Sequence, residues 1–386
     1  MRPTRLSLLR QCAAALALVF LAPCSQAASP SITTGEIEHA RFLFARPSGQ
    51  WNGRLLIHAH GYRSPEEPLI ANLSVQRLAY ATLLNEGWIV ATTSYRRNGM
   101  IIGDAIKDID ALREHIATLF GEPGMVILEG ESMGGAIVTL IAERGTGGYS
   151  GAVAIGAALQ AREDDGTGGV VLQPRIPMIF LTNQSELEGP RNYVVRASAE
   201  ARTSHEIIAP VLFRVARNGH VNVNQAERLV ALRALVSWIE KGRETLPKPQ
   251  SRSADGLAVY GAGAVFDATV KPPAEPTRVA FDSDDRGFTA TVTEISLGHG
   301  NVYVDAQPSD FARIGMEPGG YLELKIGANS HRVRYGRDFS SVPRGQWVMF
   351  ANADGFFWLA VNQGNAARSA GISAGDKIHL RRYGAQ

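Results

Sequence analysis

The strongest constraint on the fold of this chain is a serine flanked by glycines, between an apolar strand and an apolar helix. Met125–Glu129 has the composition of a buried strand, and Gly130-Glu131-Ser132-Met133-Gly134 leads from it into the apolar helical segment Ala136–Ala142. Glycines at this spacing let a strand and a helix pass close together, because they carry no Cβ. The pattern predicts a sharp turn that exposes the Ser132 hydroxyl as a nucleophile. The alternative is an ordinary strand-to-helix turn.

Short apolar runs alternate with segments of helical period from Glu36 to about Gly242. This alternation is typical of parallel strands joined by crossover helices. Two helices are indicated by apolar residues spaced three and four apart, one around Ile106–Leu119 and one around Leu229–Ile239. The predicted strands are Ala40–Ala45, Arg54–Ala59, Trp88–Thr93, Met125–Glu129, Ala152–Ala157, Met178–Thr182 and Val211–Val215.

In this setting the serine turn resembles that of the α/β-hydrolase superfamily, and the resemblance extends over roughly residues 35–243. It implies an α/β fold with a mostly parallel sheet, and a catalytic triad in the chain order serine, acid, histidine. Many members insert a helical cap where this chain has only Leu159–Arg175. We therefore expect a minimal cap, with the site either open to bulky substrates or covered by the C-terminal domain.

A serine hydroxyl needs a neutral imidazole to take its proton, and the imidazole needs a carboxylate to orient it. His220 follows the strand Val211–Val215 and precedes the last helix, where the family places its histidine. The family's acid follows the penultimate strand, where Glu186 has the usual offset and Glu188 is the alternative. The expected catalytic residues are Ser132, His220 and Glu186.

Two backbone N–H groups are expected to stabilise the oxyanion that develops on the substrate. One belongs to Met133 at the start of a helix, and the other to Tyr62 in a turn that resembles the family's His-Gly-x turn. His60 is expected to support this loop or to contact substrate, and His58 could pair with it. A zinc site at these two histidines lacks an evident third ligand, so no metal and no cofactor is expected.

Two arginines, Arg96 and Arg97, follow another predicted strand, at the edge of the sheet where ligands bind. Either side chain could contact an anionic or polar group of the substrate. The alternative is that both form ion pairs at the surface.

The chain changes character between Leu246 and Thr277, where proline, glycine and serine are frequent. We predict a catalytic domain at 30–245, a linker at 246–284 and a small all-β domain at 285–386, which forms a barrel or a sandwich. Its predicted strands are Phe288–Ile295, Val302–Asp305, Tyr321–Ile326, Arg332–Tyr335, Trp347–Phe350, Phe356–Val361 and Lys377–Leu380.

The run Asn362-Gln363-Gly364-Asn365-Ala366-Ala367 lies within this domain, which also contains Gly300-Asn301-Val302-Tyr303. Together they resemble the β-barrel domain of S-adenosylmethionine hydroxide adenosyltransferases and fluorinases. In that family, an asparagine matching Asn301 and the backbone near Ala367 help to hold adenine. The resemblance implies a ligand-binding site here, and the alternative is a structural or substrate-docking module.

Residues 1–27 read as a signal peptide, with three arginines, an apolar stretch and small residues before a cleavage site near Ala27. The apolar stretch is short for a membrane anchor, and a lipoprotein signal ending at Cys24 is disfavoured by the adjacent proline. Cleavage would remove both cysteines, Cys12 and Cys24, and would leave a mature chain with a net charge of −1. Thiol chemistry and nucleic-acid binding are therefore excluded by composition.

The sequence as a whole predicts a periplasmic or secreted serine hydrolase that cleaves carboxylic esters through an acyl-enzyme. Its substrate would be a small-molecule or polymeric ester. A serine peptidase of the same fold is one alternative. A non-enzymatic protein that binds a nucleoside or glycan, with a vestigial triad, is the other.

Overall fold

A computed structural model describes residues 29–145, 147–163, 168–248, 265–271, 278–296 and 298–384. The predicted signal peptide and most of the predicted linker lie outside the described residues. Within them, the structure contains two β-sheets that lie one after the other along the chain.

The first sheet has the strand order β1-β2-β4-β3-β5-β6-β7-β8-β9. Strands β3 to β9 are parallel to one another, whereas β2 is antiparallel to both β1 and β4. The strands are β1 (Ser31–Ile37), β2 (Ala40–Arg46), β3 (Arg54–Ala59), β4 (Ile89–Thr93), β5 (Met125–Glu131), β6 (Gly151–Ile155), β7 (Met178–Asn183), β8 (Val211–Val215) and β9 (Val265–Asp267).

Five helices cover the two faces of this sheet because each has an apolar face to bury. They are α1 (Leu78–Asn85), α2 (Ile102–Phe120), α3 (Met133–Arg144), α4 (Glu188–Glu200) and α5 (Gln225–Lys241). Helices α2, α3 and α4 contribute to one core cluster, and α1 and α5 contribute to the cluster on the opposite face. Strands buried on both faces are nearly continuously apolar, as parallel strands require.

This arrangement is the α/β-hydrolase fold, so the fold prediction for the first part of the chain is confirmed. All seven strands predicted there are present. The minimal cap is also present: the described part of residues 156–177 contains no helix or strand. Strand β1 was not predicted, and neither was β9, which lies inside the predicted linker and pairs with β8.

The second sheet closes into a seven-stranded barrel, in the order β11-β12-β16-β15-β14-β13-β17 with β17 returning to β11. The short strand β10 (Ala280–Phe281), also from the predicted linker, pairs with β11 outside the ring. The barrel elements are β11 (Gly287–Ile295), β12 (Val302–Val304), α6 (Pro308–Arg313), β13 (Tyr321–Ile326), β14 (Asn329–Tyr335), β15 (Trp347–Ala351), β16 (Phe357–Val361), α7 (Ala366–Ala370) and β17 (Lys377–Arg382).

The barrel is filled by side chains rather than open. Phe311 from α6 enters the interior, where its ring stacks on Phe357 with the centroids 3.9 Å apart. The predicted choice between a barrel and a sandwich is therefore resolved in favour of a barrel, and all seven strands predicted in this region are present.

Candidate active site

Ser132 lies at the turn between β5 and α3, in a backbone conformation that a residue with a side chain rarely adopts (φ 55°, ψ −116°). The flanking glycines make this turn possible. A Cβ on Gly130 would lie 2.1 Å from the carbonyl oxygen of Gly134, and a Cβ on Gly134 would lie 2.0 Å from that of Ala59. The turn therefore holds the Ser132 hydroxyl above the carboxyl ends of the strands, as the sequence pattern predicts.

His220 and Glu186 reach this hydroxyl from the loops after β8 and β7. The Nε2 atom of His220 lies 2.8 Å from Ser132 Oγ, and its Nδ1 atom is hydrogen-bonded to Glu186 Oε1. The hydrogen bond to Glu186 raises the pKa of His220 above its ordinary value, although burial acts in the opposite direction. Glu188, the alternative acid, is exposed at the start of α4. The structure thus aligns Ser132, His220 and Glu186 in one chain of contacts.

Ser185 and Asn183 tie the loop of Glu186 to the loop of His220 through four hydrogen bonds. Ser185 Oγ accepts from the Gly219 N–H (2.9 Å) and donates to the Gly219 carbonyl (3.0 Å). Asn183 Nδ2 donates to the Asn222 carbonyl, and the Asn222 N–H donates to Asn183 Oδ1, both at 2.8 Å. The sequence analysis did not single out these residues. Short polar side chains directly after a buried strand were the available signal.

The two expected oxyanion donors flank Ser132. Met133 is the first residue of α3, where a backbone N–H has no partner within the helix. The Tyr62 turn reaches the serine through Gly61, whose Cβ position would lie 3.2 Å from Ser132 Cβ. The Tyr62 carbonyl accepts a hydrogen bond from His299 Nε2 of the barrel (3.1 Å), which holds the turn in place.

His60 contacts the backbone of the turn that contains Tyr62. Its Nδ1 atom lies 2.7 Å from the Gly61 carbonyl, and its Nε2 atom lies 3.2 Å from the Ser94 carbonyl. The ring also packs on Tyr95, with the centroids 4.1 Å apart. Burial and the nearby Arg63 lower the pKa of His60 well below its ordinary value.

His58 does not pair with His60 but with Glu129, which lies 3.1 Å from its Nδ1 atom. Tyr80 donates to the same carboxylate at 2.7 Å. Arg228 from α5 completes this cluster, because its guanidinium contacts Glu129 Oε1 at 2.8 Å and also pairs with Glu131. We call these five residues the buried charge cluster: His58, Tyr80, Glu129, Glu131 and Arg228.

The buried charge cluster lies directly beneath the serine turn, since Glu131 precedes Ser132 in the chain. Burial would raise the pKa of Glu131, but the pairing with Arg228 prevails and lowers it to about 2. Sequence reasoning missed this cluster because its members are far apart along the chain. The acidic residue before the serine was the available signal.

Arg96 and Arg97 lie outside the residues that line the cleft around Ser132. Arg96 pairs with Asp108, which accepts from its backbone N–H (2.7 Å) and from Nε (2.9 Å). Arg97 Nε donates to Asp104 at 2.9 Å. Both arginines thus form ion pairs with α2. The Arg97 pair lies near the surface, as the alternative stated, whereas the partner of Arg96, Asp108, is buried.

The barrel contributes to the walls of the cleft in which Ser132 lies. The contacts between the domains surround the cleft mouth and join Tyr62 to His299 (3.1 Å), Ser74 to Glu294 (3.0 Å), Arg77 to Tyr303 (3.0 Å), Gln225 to Asp354 (2.8 Å) and Glu67 to Arg368 (3.0 Å). The space between the two domains has a volume of about 430 Å³, which is in the usual range for small-molecule sites. The cleft stays open to solvent, since the His220 side chain is 54% exposed, so the structure lies between the open and the covered site that the sequence left as alternatives.

The two residues expected to bind a ligand in the barrel differ in their placement. Asn301 is buried and lines the same cleft as Ser132. Ala367 donates its N–H to the Gly300 carbonyl (2.9 Å), and its own carbonyl accepts from Ile372 N (2.9 Å). The backbone of Ala367 is therefore already hydrogen-bonded within the barrel.

Comparison with known proteins finds a family model that matches part of the barrel. Residues 298–379 match the family described as the SAM hydroxide adenosyltransferase C-terminal domain. No curated protein has a sequence that matches this chain.

Solved structures that are similar include an uncharacterized conserved protein from Thermotoga maritima (18% identity, 36% of this chain and 47% of that chain, TM-score 0.25). A dipeptidyl peptidase 4 from Porphyromonas gingivalis (12% identity, 54% and 35%, TM-score 0.40) and an esterase/lipase from an uncultured bacterium (11% identity, 56% and 85%, TM-score 0.38) are also similar. The chain spans about half the length of the Thermotoga protein and about a third of the Porphyromonas protein. The fold stated above rests on the strand order and the crossovers.

The described residues contain no group of three or more His, Cys, Asp or Glu side chains placed to hold a metal ion. Within the same residues, none of the helices combines the length and apolar character that a bilayer crossing requires.

Proposed function

We propose that this protein is an exported serine hydrolase that cleaves carboxylic esters through an acyl-enzyme intermediate. The observation that carries the proposal is the alignment at the serine turn: Ser132 Oγ lies 2.8 Å from His220 Nε2, and His220 Nδ1 is hydrogen-bonded to Glu186. A nucleophile, a base and an orienting carboxylate in this order are what acyl transfer needs.

In the first step, Ser132 Oγ attacks the ester carbonyl carbon while His220 Nε2 takes the hydroxyl proton. His220 then gives this proton to the departing alcohol as the carbon–oxygen bond to that alcohol breaks. Glu186 keeps Nδ1 protonated, so that Nε2 is free to accept, and it stabilises the imidazolium that forms. In the second step, water attacks the acyl-enzyme with His220 again as the base, which releases the acid and restores Ser132.

The oxyanion that forms on the carbonyl oxygen would accept hydrogen bonds from the N–H groups of Met133 and Tyr62. The N-terminus of α3 adds to this stabilisation, because the helix dipole is positive at that end. His60, which contacts the backbone carbonyls of Gly61 and Ser94, would keep the Tyr62 turn rigid.

The strained backbone of Ser132 supports an enzyme rather than a binding protein with a vestigial triad. A non-glycine residue in this conformation costs about 1–3 kcal/mol, a strain that clusters at functional sites. A nucleoside-binding barrel is the alternative of another class. Asn301 lies in the cleft, but Ala367 already uses its N–H within the barrel.

The assay is a comparison of p-nitrophenyl esters of graded acyl length with peptide p-nitroanilides. We expect the mature protein to hydrolyse the esters and the Ser132→Ala variant to lose that activity. Faster release of p-nitroaniline than of p-nitrophenol would favour the peptidase instead. If the folded protein hydrolysed neither substrate and bound adenosine in a calorimeter, the binding module would replace the enzyme.

Export is part of the proposal and rests on residues 1–27. N-terminal sequencing of the chain recovered from the periplasm or medium should begin near Ala28. Recovery of a chain that retains these residues in the cytoplasm would contradict it.

A further inference from the structure

The outer face of the barrel has an unusual composition where it meets the cleft. Side chains along a barrel strand alternate between the interior and the outside. On β16, Phe357 and Leu359 belong to the interior cluster, so Trp358 points outward. On β15, Met349 points inward and Phe350 outward. The outward positions therefore carry large apolar rings, although an outer face exposed to water would favour polar residues.

Three of these outward rings, together with Phe339 from the short turn Phe339–Ser341, form one continuous surface. We call it the aromatic wall: Tyr303, Phe339, Phe350 and Trp358. Trp358 pairs across the strands with Tyr303 on one side and Phe350 on the other. Its ring lies 5.1 Å from the Tyr303 ring and 5.8 Å from the Phe350 ring, and Phe339 packs on Phe350 at 4.9 Å. These edge and tilted contacts hold the rings in fixed positions.

The aromatic wall and the catalytic candidates line the same cleft, the wall from the barrel and the candidates from the first domain. Tyr303, Phe339 and Trp358 are only partly buried, and they share the 430 Å³ space with Ser132 and His220. Tyr303 is fixed to the first domain by Arg77, which donates to its hydroxyl at 3.0 Å and lies over its ring at 5.5 Å. The wall is therefore part of the cleft and not a separate surface of the barrel.

The acidic groups of the cleft already have partners within the protein. Glu131 pairs with Arg228, Glu294 accepts from Ser74 at 3.0 Å and lies 3.6 Å from Arg77, and Asp354 accepts from the Gln225 N–H at 2.8 Å. Asp338, the other acidic group of the lining, accepts from the Ser340 N–H at 2.9 Å. The rings belong to the apolar part of the cleft lining, and Arg337 belongs to its polar part.

We propose that the aromatic wall binds a ring-bearing apolar group of the substrate, so that the preferred substrates are neutral esters with an aromatic ring in the acyl or the alcohol part. This inference rests on the proposed function, because it assigns specificity to the same site. It gives the barrel a definite role as the wall that selects substrates for Ser132. Ring-on-ring contacts of this kind combine area burial with a preferred geometry.

The test uses three unactivated esters, whose hydrolysis is followed by acid release in a pH-stat. Ethyl acetate has no ring, ethyl phenylacetate has a ring on the acyl side, and benzyl acetate has a ring on the alcohol side. We expect at least one ring-bearing ester to have a higher kcat/KM than ethyl acetate. The ring-bearing ester with the higher kcat/KM identifies whether the acyl or the alcohol part of the substrate lies on the aromatic wall.

In Trp358→Ala, the ratio of kcat/KM for the preferred ring-bearing ester to that for ethyl acetate should fall about tenfold. Trp358→Phe should retain most of the ratio, because it keeps a ring. Trp347→Ala is the matched control. Trp347 lies on the neighbouring strand β15 and packs against the interior cluster, so this substitution should leave the ratio of the two kcat/KM values unchanged.

A fluorophosphonate that labels Ser132 separates the two ways in which the test can fail. If the wild-type protein is labelled and Trp358→Ala changes kcat/KM by the same factor for all three esters, the aromatic wall is not the specificity site. The hydrolase proposal would still stand. If the folded wild-type protein is not labelled, the hydrolase proposal fails and this inference fails with it.

Discussion

Arg228 is the residue whose replacement should most weaken the structure beneath the serine turn. Its guanidinium is almost fully buried and contacts Glu129, which is completely buried, at 2.8 Å, and it also pairs with Glu131. The Arg228→Met substitution largely keeps the volume of the side chain, but it removes the guanidinium that pairs with Glu129 and Glu131. Breaking a buried pair in this way costs about 3–5 kcal/mol, because an uncompensated charge is left behind.

The pKa of Glu131 supports this magnitude. It lies at about 2, against an ordinary value of 4.5, and each pKa unit corresponds to about 1.4 kcal/mol. The shift corresponds to at most about 3 kcal/mol at neutral pH. The share that belongs to Arg228 is smaller, because His58 and Arg77 also lower this pKa and the Glu131 side chain is 30% exposed to solvent. Because the pKa is lowered in the folded state, this contribution is present above pH 4.5 and is lost as the pH falls towards 2. The difference between wild type and variant should narrow over the same range.

The assay is urea denaturation at pH 7, followed by tryptophan fluorescence. Arg233→Met is the matched control, because Arg233 lies on the same helix and pairs with Glu86 at 2.6 Å, but the two side chains are 58% and 41% exposed. An exposed pair contributes about 0–1 kcal/mol. If Arg228→Met lowered the free energy of unfolding no more than Arg233→Met, the role assigned to the buried charge cluster would be wrong.

Three further predictions concern the triad and the serine turn. Glu186→Gln should lower kcat about 10⁴-fold, because an amide can favour the wrong tautomer of His220, whereas Glu188→Gln should stay near wild type; the reverse result would move the acid to Glu188. The neutral imidazole of His220 is the base, and Glu186 raises its pKa, so kcat/KM should rise with pH through an inflection above pH 6.5. Glu186→Gln should move this inflection to lower pH. If the inflection stayed at the same pH in the variant, it would belong to another group. Gly134→Ala should abolish activity, because its Cβ would lie 2.0 Å from the Ala59 carbonyl oxygen, whereas Gly124→Ala, with its nearest neighbour at 3.8 Å, should be tolerated; equal activity in both would show that the turn can relax.

Secondary-structure elements could be predicted from the sequence wherever a local pattern of residues determines the element. Buried parallel strands such as β5 are continuous apolar runs, and the serine turn has glycines that only a close strand–helix crossing requires. Strand β1 was missed because most of its side chains are exposed and it is held by pairing with β2. Strand β9 was missed because three residues after a proline-rich segment carry no period of their own.

The parts of the site that were not predicted depend on contacts between distant residues. Arg228 meets Glu131 across 97 positions of the chain, and nothing in the sequence of α5 distinguishes it from the exposed Arg233. Tyr303 and Trp358 could be placed on strands, but not on the side of the barrel that faces Ser132. That placement follows from how the two domains pack together.

Covalent labelling would show whether Ser132, His220 and Glu186 form a working triad. The mature protein, treated with a short alkyl fluorophosphonate, should gain the mass of one phosphonyl group, which peptide mapping should place on Ser132. The Ser132→Ala variant should gain none. Absence of the adduct on folded wild-type protein, or an adduct that persists in Ser132→Ala, would contradict the account.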